Sequence, residues 1–83
     1  MLRSLFDRLK DARFKRSLIR SKKVYNKTRN SGKALAVLKG FPNSYITRVN
    51  LSGRLIRNRN NLVNHMNALS LNNFRRATVI PIF

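Results

Sequence analysis

The chain has 83 residues, of which 19 are Lys or Arg and only two are acidic, for a formal net charge of +17. It contains no cysteine, which excludes disulfides and thiolate zinc sites, and two aspartates with one histidine argue against a paired-carboxylate or triad enzyme. We therefore expect one non-enzymatic, cofactor-free domain that binds a polyanion, with nucleic acid the first candidate and a membrane surface the second.

Residues 1–30 are predicted to form a basic N-terminal helix. Apolar side chains recur there at helical spacing, and basic side chains cover the other faces. Asp7 and Asp11 lie in the first turns, where the helix dipole favours negative charge. Gly32 is suited to a left-handed cap and is expected to end this helix. The first 20 residues also fit a mitochondrial targeting helix, but we interpret them as a nucleic-acid-binding helix of the mature protein.

The middle of the chain divides into a short helix, residues 31–40, and a segment with almost no helical period, residues 41–59. The second segment contains Pro42 and Gly53, three Ser or Thr residues and four arginines. Arginine forks pair with phosphate, hydroxyls and backbone N–H groups reach phosphate oxygens, and glycine permits close backbone approach. We predict that residues 41–59 run extended and irregular along RNA.

Residues 60–78 are predicted to be helical again, because apolar side chains recur at helical spacing. Ser70 is placed to N-cap a further turn. The tail, residues 79–83, is expected to be extended, since Pro81 is incompatible with a helix, and to dock on a protein neighbour rather than on RNA. His65 is the single histidine and lacks companion ligands, so no metal site is expected.

Together these segments predict a mainly α fold in which basic helices are joined by an extended, irregular RNA-threading segment, with little independent core. Charge repulsion and small apolar clusters lead us to expect only partial folding in the absence of a partner. The predicted RNA-binding residues are cations of the first helix, polar residues and arginines of the irregular segment, and two arginines of the helical segment after it. They are Arg13, Lys15, Arg16, Arg20, Lys22, Lys23, Asn43, Ser44, Thr47, Arg48, Ser52, Gly53, Arg54, Arg57, Arg59, Arg75 and Arg76.

Four short motifs follow one another in the second half of the chain. They are Phe41-Pro42-Asn43-Ser44 with Thr47-Arg48, then Leu51-Ser52-Gly53-Arg54, then Leu69-Ser70 with Phe74-Arg75, and finally Ile80-Pro81. In this order they resemble the Leu-Pro-(Arg)-Asn-Ser-Ser-x-Thr-Arg, Leu-Thr-Gly-Arg, Leu-Ser-Arg-x-x-Leu/Phe-Arg and Ile-Pro segments of family fourteen of the small-subunit ribosomal proteins, in a divergent, zinc-free organellar form. The likeness covers roughly half of the chain. The Asn-Arg-Cys linker and Ala-Ser-Trp tail of that family have no counterpart here.

The resemblance implies a structural constituent of the small ribosomal subunit that binds and stabilises small-subunit rRNA in the head region. It implies head-protein neighbours of families three, ten and nineteen, no zinc, no small-molecule substrate and no membrane. A mitochondrial matrix ribosome is the expected location, with another organellar or a bacterial ribosome as the alternative. The alternative functions are a family eighteen-like protein of the same subunit, a cationic membrane-surface-binding helix protein and a duplex-DNA binder.

Overall fold

The computed structural model describes residues 5–81, which form five helices and three short strands. In chain order these are α1 (Leu5–Thr28), α2 (Ser31–Ala36), α3 (Asn43–Ile46), β1 (Val49–Leu51), β2 (Arg54–Leu55), α4 (Arg59–Ala68), α5 (Leu71–Arg75) and β3 (Thr78–Val79). Helices account for 64% of the structure, which confirms the mainly α class predicted from the sequence.

The long helix α1 packs through one stripe of its surface. Its buried residues are Phe14, Ser17, Leu18, Ser21 and Lys22, a spacing of three and four that keeps them on one face. The inward hydroxyl of Ser21 donates a hydrogen bond to the carbonyl of Ala34 at 2.6 Å, which ties α1 to α2. Through this face α1 packs against α2, α5 and β3.

The end of α1 differs from the prediction. Arg29 takes the left-handed conformation, with φ of 54°, whereas Gly32 lies inside α2. Asn30 sets this boundary, because its side chain accepts a hydrogen bond from the backbone N–H of Lys33 and so caps the next helix. The expected glycine cap at Gly32 is wrong, since α2 begins one residue before it.

The prediction of an extended, irregular segment over residues 41–59 is wrong. The segment folds into the single-turn helix α3 and the hairpin of β1 and β2, in which Leu51 pairs with Arg54. Ser52 and Gly53 form the two-residue turn, with φ of 51° and 82°, the pair of positive values that a type I′ turn requires. A Ser-Gly pair is a turn signal, but strands of two and three residues are too short to show a period in the sequence.

The three strands form one antiparallel sheet in the order β2-β1-β3. Val49 pairs with Val79 and Asn50 with Thr78, so the C-terminal strand lies on the opposite edge of β1 from the hairpin partner. Val79, the first residue of the expected extended tail, does lie in a strand, but that strand pairs within the chain and begins at Thr78, which was predicted to be helical. Residues 82–83 and the expected docking of the very end of the tail lie outside the described residues.

A single hydrophobic core joins the five helices with β1 and β3, which corrects the prediction of little independent core. It contains Phe14, Leu18, Ala34, Leu38, Ile46, Val49, Leu51, Ile56, Leu62, Met66, Phe74 and Ala77, all at most 1% exposed. Apolar residues that look scattered along the sequence converge because the sheet and the short helices fold back onto α1. The expectation of partial folding rested on small, separate clusters, and the structure has one continuous cluster instead.

Candidate nucleic-acid interface

Five cations form a ridge along the exposed face of α1. They are Arg13, Arg16, Arg20, Lys23 and Lys27, and all five are exposed. Their spacing of three and four residues places them on one side of a helix with 3.6 residues per turn, opposite the buried stripe. The ridge spans about 21 Å at 1.5 Å per residue. We call these five residues the basic ridge.

Sequence reasoning predicted four members of the basic ridge and missed Lys27. The signal for Lys27 was present, because it continues the same spacing from Lys23. Lys15, which was also predicted to bind RNA, is half-buried and lines a hollow with Asp11 and β3. Lys15 therefore lies beside the ridge and not on it.

Lys22 is the clearest correction among the predicted RNA-binding residues, because its ammonium group is used inside the fold. The residue is only 3% exposed, and its Nζ donates a hydrogen bond to the carbonyl of Met66. The ammonium also lies 5.6 Å and 5.7 Å from the ring centroids of Tyr25 and Phe74. Burial, and secondarily the charge of Arg29, lowers the pKa of Lys22. Lys22 is therefore a structural cation with almost no surface left for a partner.

Arg48 was expected to hold phosphate, and the structure places its guanidinium in internal contacts instead. Its Nη2 lies 2.8 Å from Oδ2 of Asp11, and its Nε donates to the carbonyl of Ile80 at 2.7 Å. The guanidinium also lies over the ring of Tyr45, 5.1 Å from the centroid. These contacts argue against the predicted phosphate contact of Arg48, because its Nη2 and Nε are already paired within the protein.

The guanidinium of Arg59 also makes a hydrogen bond within the protein. Its Nη2 donates a hydrogen bond to the carbonyl of Phe41 at 2.9 Å, and the side chain is half-buried. The contact fastens the first residue of α4 to the turn that precedes α3. The structure thus gives Arg59 a positioning role within the fold.

Two arginines match the prediction best, namely Arg54 in the hairpin and Arg57 two residues after β2. Arg54 and Arg57 are exposed, and within residues 5–81 neither guanidinium forms a hydrogen bond or an ion pair. Gly53 is exposed beside them, while the hydroxyl of Ser52 accepts a hydrogen bond from the amide of Asn73 at 3.1 Å. The turn is therefore braced against α5, and both guanidinium groups remain available to an external anion.

The polar residues around α3 lie at the surface near the start of the basic ridge. Asn43, Ser44 and Thr47 are exposed, and Thr47 makes only a long contact of 3.4 Å to the carbonyl of Ser44. A hollow of about 480 Å³ separates α1 from this loop, and Arg13 lines it together with Phe41. The loop before α3 and the N-terminal end of the basic ridge therefore lie on either side of one hollow.

Arg75 and Arg76 form a third exposed basic group at the end of α5. Ser70 caps this helix as predicted, through a reciprocal arrangement in which its hydroxyl accepts from the N–H of Asn73 and the Asn73 side chain accepts from the N–H of Ser70. Both arginines are exposed. They extend the basic surface beyond α1 and the hairpin.

The described residues hold no group of three His, Cys, Asp or Glu side chains suited to a metal ion. His65 instead contacts the carbonyl of Asn61 through Nδ1 at 2.8 Å. Among the helices of residues 5–81, none is both long and apolar enough to cross a membrane.

No protein-family model, curated protein or solved structure matches this chain.

Proposed function

We propose that this protein is a structural constituent of a small ribosomal subunit and that it binds and stabilises rRNA. The basic ridge carries the proposal: five exposed cations lie on one face of a 24-residue helix, in a chain with a net charge of +17. Lys and Arg side chains in such a row contact phosphates and release counterions on binding. Neither aspartate lies within the ridge, so its field is uniformly positive.

Folded RNA fits this surface better than duplex DNA. The ridge consists of Lys and Arg, which position a protein on a phosphate backbone. The hairpin and the turn at α5 add separate basic groups at other points of the fold. Phosphates distributed in space, as in folded rRNA, suit such an arrangement.

The finer parts of the proposal depend on the resemblance to family fourteen of the small-subunit ribosomal proteins. On that basis we place the protein in the head of the subunit, beside families three, ten and nineteen, in a mitochondrial ribosome. The motif Leu51–Arg54 supports a binding role, since Arg54 stands at the end of the hairpin with its guanidinium exposed. A family eighteen-like protein of the same subunit remains the alternative within this class.

Gradient sedimentation tests the proposal directly. A tagged copy of the full chain is expected to co-sediment with small ribosomal subunits and to leave them in high salt. Exchange of Arg16 and Arg20 for Gln should lower its incorporation, whereas exchange of Lys33 and Lys39, which are exposed on and after α2, should have little effect. Sedimentation with the large subunit, or residence at the top of the gradient, would contradict the proposal.

One observation favours the membrane-surface alternative. Leu5, Phe6 and Leu9 in the N-terminal turns of α1 are between 57% and 70% exposed, next to the cations Arg8 and Lys10. Apolar and basic residues together on a helix are typical of helices that lie in a membrane interface. Exchange of these three apolar residues for Ser should abolish partitioning into anionic liposomes if a membrane is the partner, and should leave RNA binding intact if RNA is.

A further inference from the structure

A cleft of about 590 Å³ lies between the hairpin and α4. It is lined by Arg54, Leu55, Arg57, Asn61 and His65. Its volume falls within the range of about 300–1,000 Å³ that is usual for small-molecule sites. None of these five lining residues is acidic, so the cleft combines positive charge with a concave shape.

Two groups at the wall of the cleft are oriented by backbone contacts. The side-chain oxygen of Asn61 accepts a hydrogen bond from the N–H of Arg57 at 3.1 Å, so the amide NH2 of Asn61 keeps its donors for another partner. The Nδ1 of His65 lies 2.8 Å from the carbonyl of Asn61, and a carbonyl can only accept, so Nδ1 carries the proton. The other ring nitrogen of His65, Nε2, has no hydrogen bond to the described residues and can bind a ligand.

One wall of the cleft is apolar, which indicates a ligand with an apolar part and not a simple anion. Leu55 lies in β2 and is 51% exposed, although it is a large hydrophobic residue. The imidazole ring of His65 adds a flat surface of the kind on which bases stack in RNA complexes. A ligand that matches this cleft has an anionic part for the two arginines and a flat part for Leu55 and His65.

We propose that the cleft holds one unpaired nucleotide of RNA, with its phosphate on Arg54 and Arg57 and its base against Leu55 and His65. The proposal rests on the RNA-binding function proposed above and names the RNA feature that this part of the surface recognises. The nucleotide is unpaired because a base in A-form duplex stays within its stack, whereas bases in loops and bulges can be splayed out. The basic ridge, by contrast, contacts phosphates whatever the pairing.

Fluorescence anisotropy with the full chain tests this assignment on a single-stranded RNA and on a duplex of the same sequence. The double variant Leu55→Ala with His65→Ala should bind the single strand about tenfold more weakly, as expected when a stacking surface is removed, and should bind the duplex as before. Asn60→Ala with Asn64→Ala, at exposed positions of the same helix, is the matched control and should change neither affinity.

The outcomes separate the two proposals. If the unmodified protein binds neither RNA, the proposed function fails and the cleft proposal fails with it. If it binds RNA but the double variant loses nothing, loses duplex binding equally, or behaves like the control, the cleft proposal alone is overturned.

A second measurement needs no variant and distinguishes a nucleotide from a phosphate ion. In NMR titrations, adenosine monophosphate should shift the backbone amides of residues 54–65 more than inorganic phosphate at the same concentration. Shifts that are equal for the two ligands, or absent with the nucleotide, would overturn the assignment of a base to Leu55 and His65.

Discussion

Arg48 and Asp11 are joined by an ion pair of 2.8 Å between Nη2 and Oδ2, although they stand 37 residues apart in the sequence. Both side chains are largely buried, at 12% and 14% exposure. The same guanidinium donates through Nε to the carbonyl of Ile80. Arg48 thus connects α1 with the start of β1 and with the residue after β3, and these internal contacts occupy Nη2 and Nε of its guanidinium.

Exchange of Arg48 for Met should therefore lower stability and not RNA affinity. We expect a loss of about 1.5–3 kcal/mol in the free energy of unfolding, the range for hydrogen bonds to charged groups. Urea denaturation measures this loss, and filter binding under conditions in which the variant is folded measures affinity. Arg54→Met is the control, since an exposed arginine without internal contacts should change stability by less than about 0.5 kcal/mol. The opposite ranking of the two variants would mean that Arg48 is available to phosphate.

Exchange of Lys22 for Met should destabilise the fold although it removes a buried charge. The carbonyl of Met66 lies in the last turns of α4 and accepts from the Nζ of Lys22, so Met at position 22 leaves this buried acceptor unpaired. A loss of about 1–3 kcal/mol is expected in thermal or urea unfolding. Lys23→Met, at an exposed position of the basic ridge, should be nearly neutral for stability.

The destabilisation caused by Lys22→Met should grow as the pH rises through the lowered pKa of Lys22 toward its ordinary value of 10.5. Burial lowers the pKa of Lys22 in the folded state below its ordinary value of 10.5. The unfolded chain then binds more protons than the native state between the two pKa values, so the unmodified protein gains stability through that window. The difference in unfolding free energy between the two proteins isolates Lys22, because other groups titrate in both. A difference that shrinks with pH would show that the buried amine favours its charged form.

Exchange of Gly53 for Ala should weaken the hairpin through backbone strain alone. Gly53 has φ of 82°, and an added Cβ would meet no atom within 4 Å. A left-handed conformation costs an L-residue roughly 1–2 kcal/mol, part of which the reduced freedom of the unfolded chain offsets. Gly40→Ala is a close control, because that site is equally open and has no left-handed φ, and it should be neutral or slightly stabilising. Equal effects on the melting temperature would argue against the turn geometry described here.

Exchange of Arg16 and Arg20 for Gln should flatten the salt dependence of RNA binding. If each of these arginines neutralises one phosphate, the double exchange lowers the slope of log affinity against log salt by about 1.5. Filter binding over a range of KCl concentrations gives this slope. The variant Lys33→Gln with Lys39→Gln removes the same charge from outside the ridge, so an identical change in slope would show that only net charge matters.

The sequence was a sufficient guide to features that depend on residues three or four positions apart. The helical spacing in α1 and α4 and the cap at Ser70 are of this kind, since both express contacts within one helical turn. Four cations of the basic ridge follow from the same periodicity. The net charge of +17, which favours an anionic partner, needs no structure at all.

Only the tertiary structure decided which cations are available to that partner. The carbonyl bound by Lys22 lies 44 residues away and the carboxylate bound by Arg48 lies 37 residues away, so no local pattern distinguishes either from exposed neighbours such as Lys23. The cleft at His65 likewise exists only because folding brings Arg54 and Leu55 of β2 beside α4. A basic side chain can be buried only where folding places a hydrogen-bond acceptor beside it. The periodicity of the sequence does not predict where those acceptors will be.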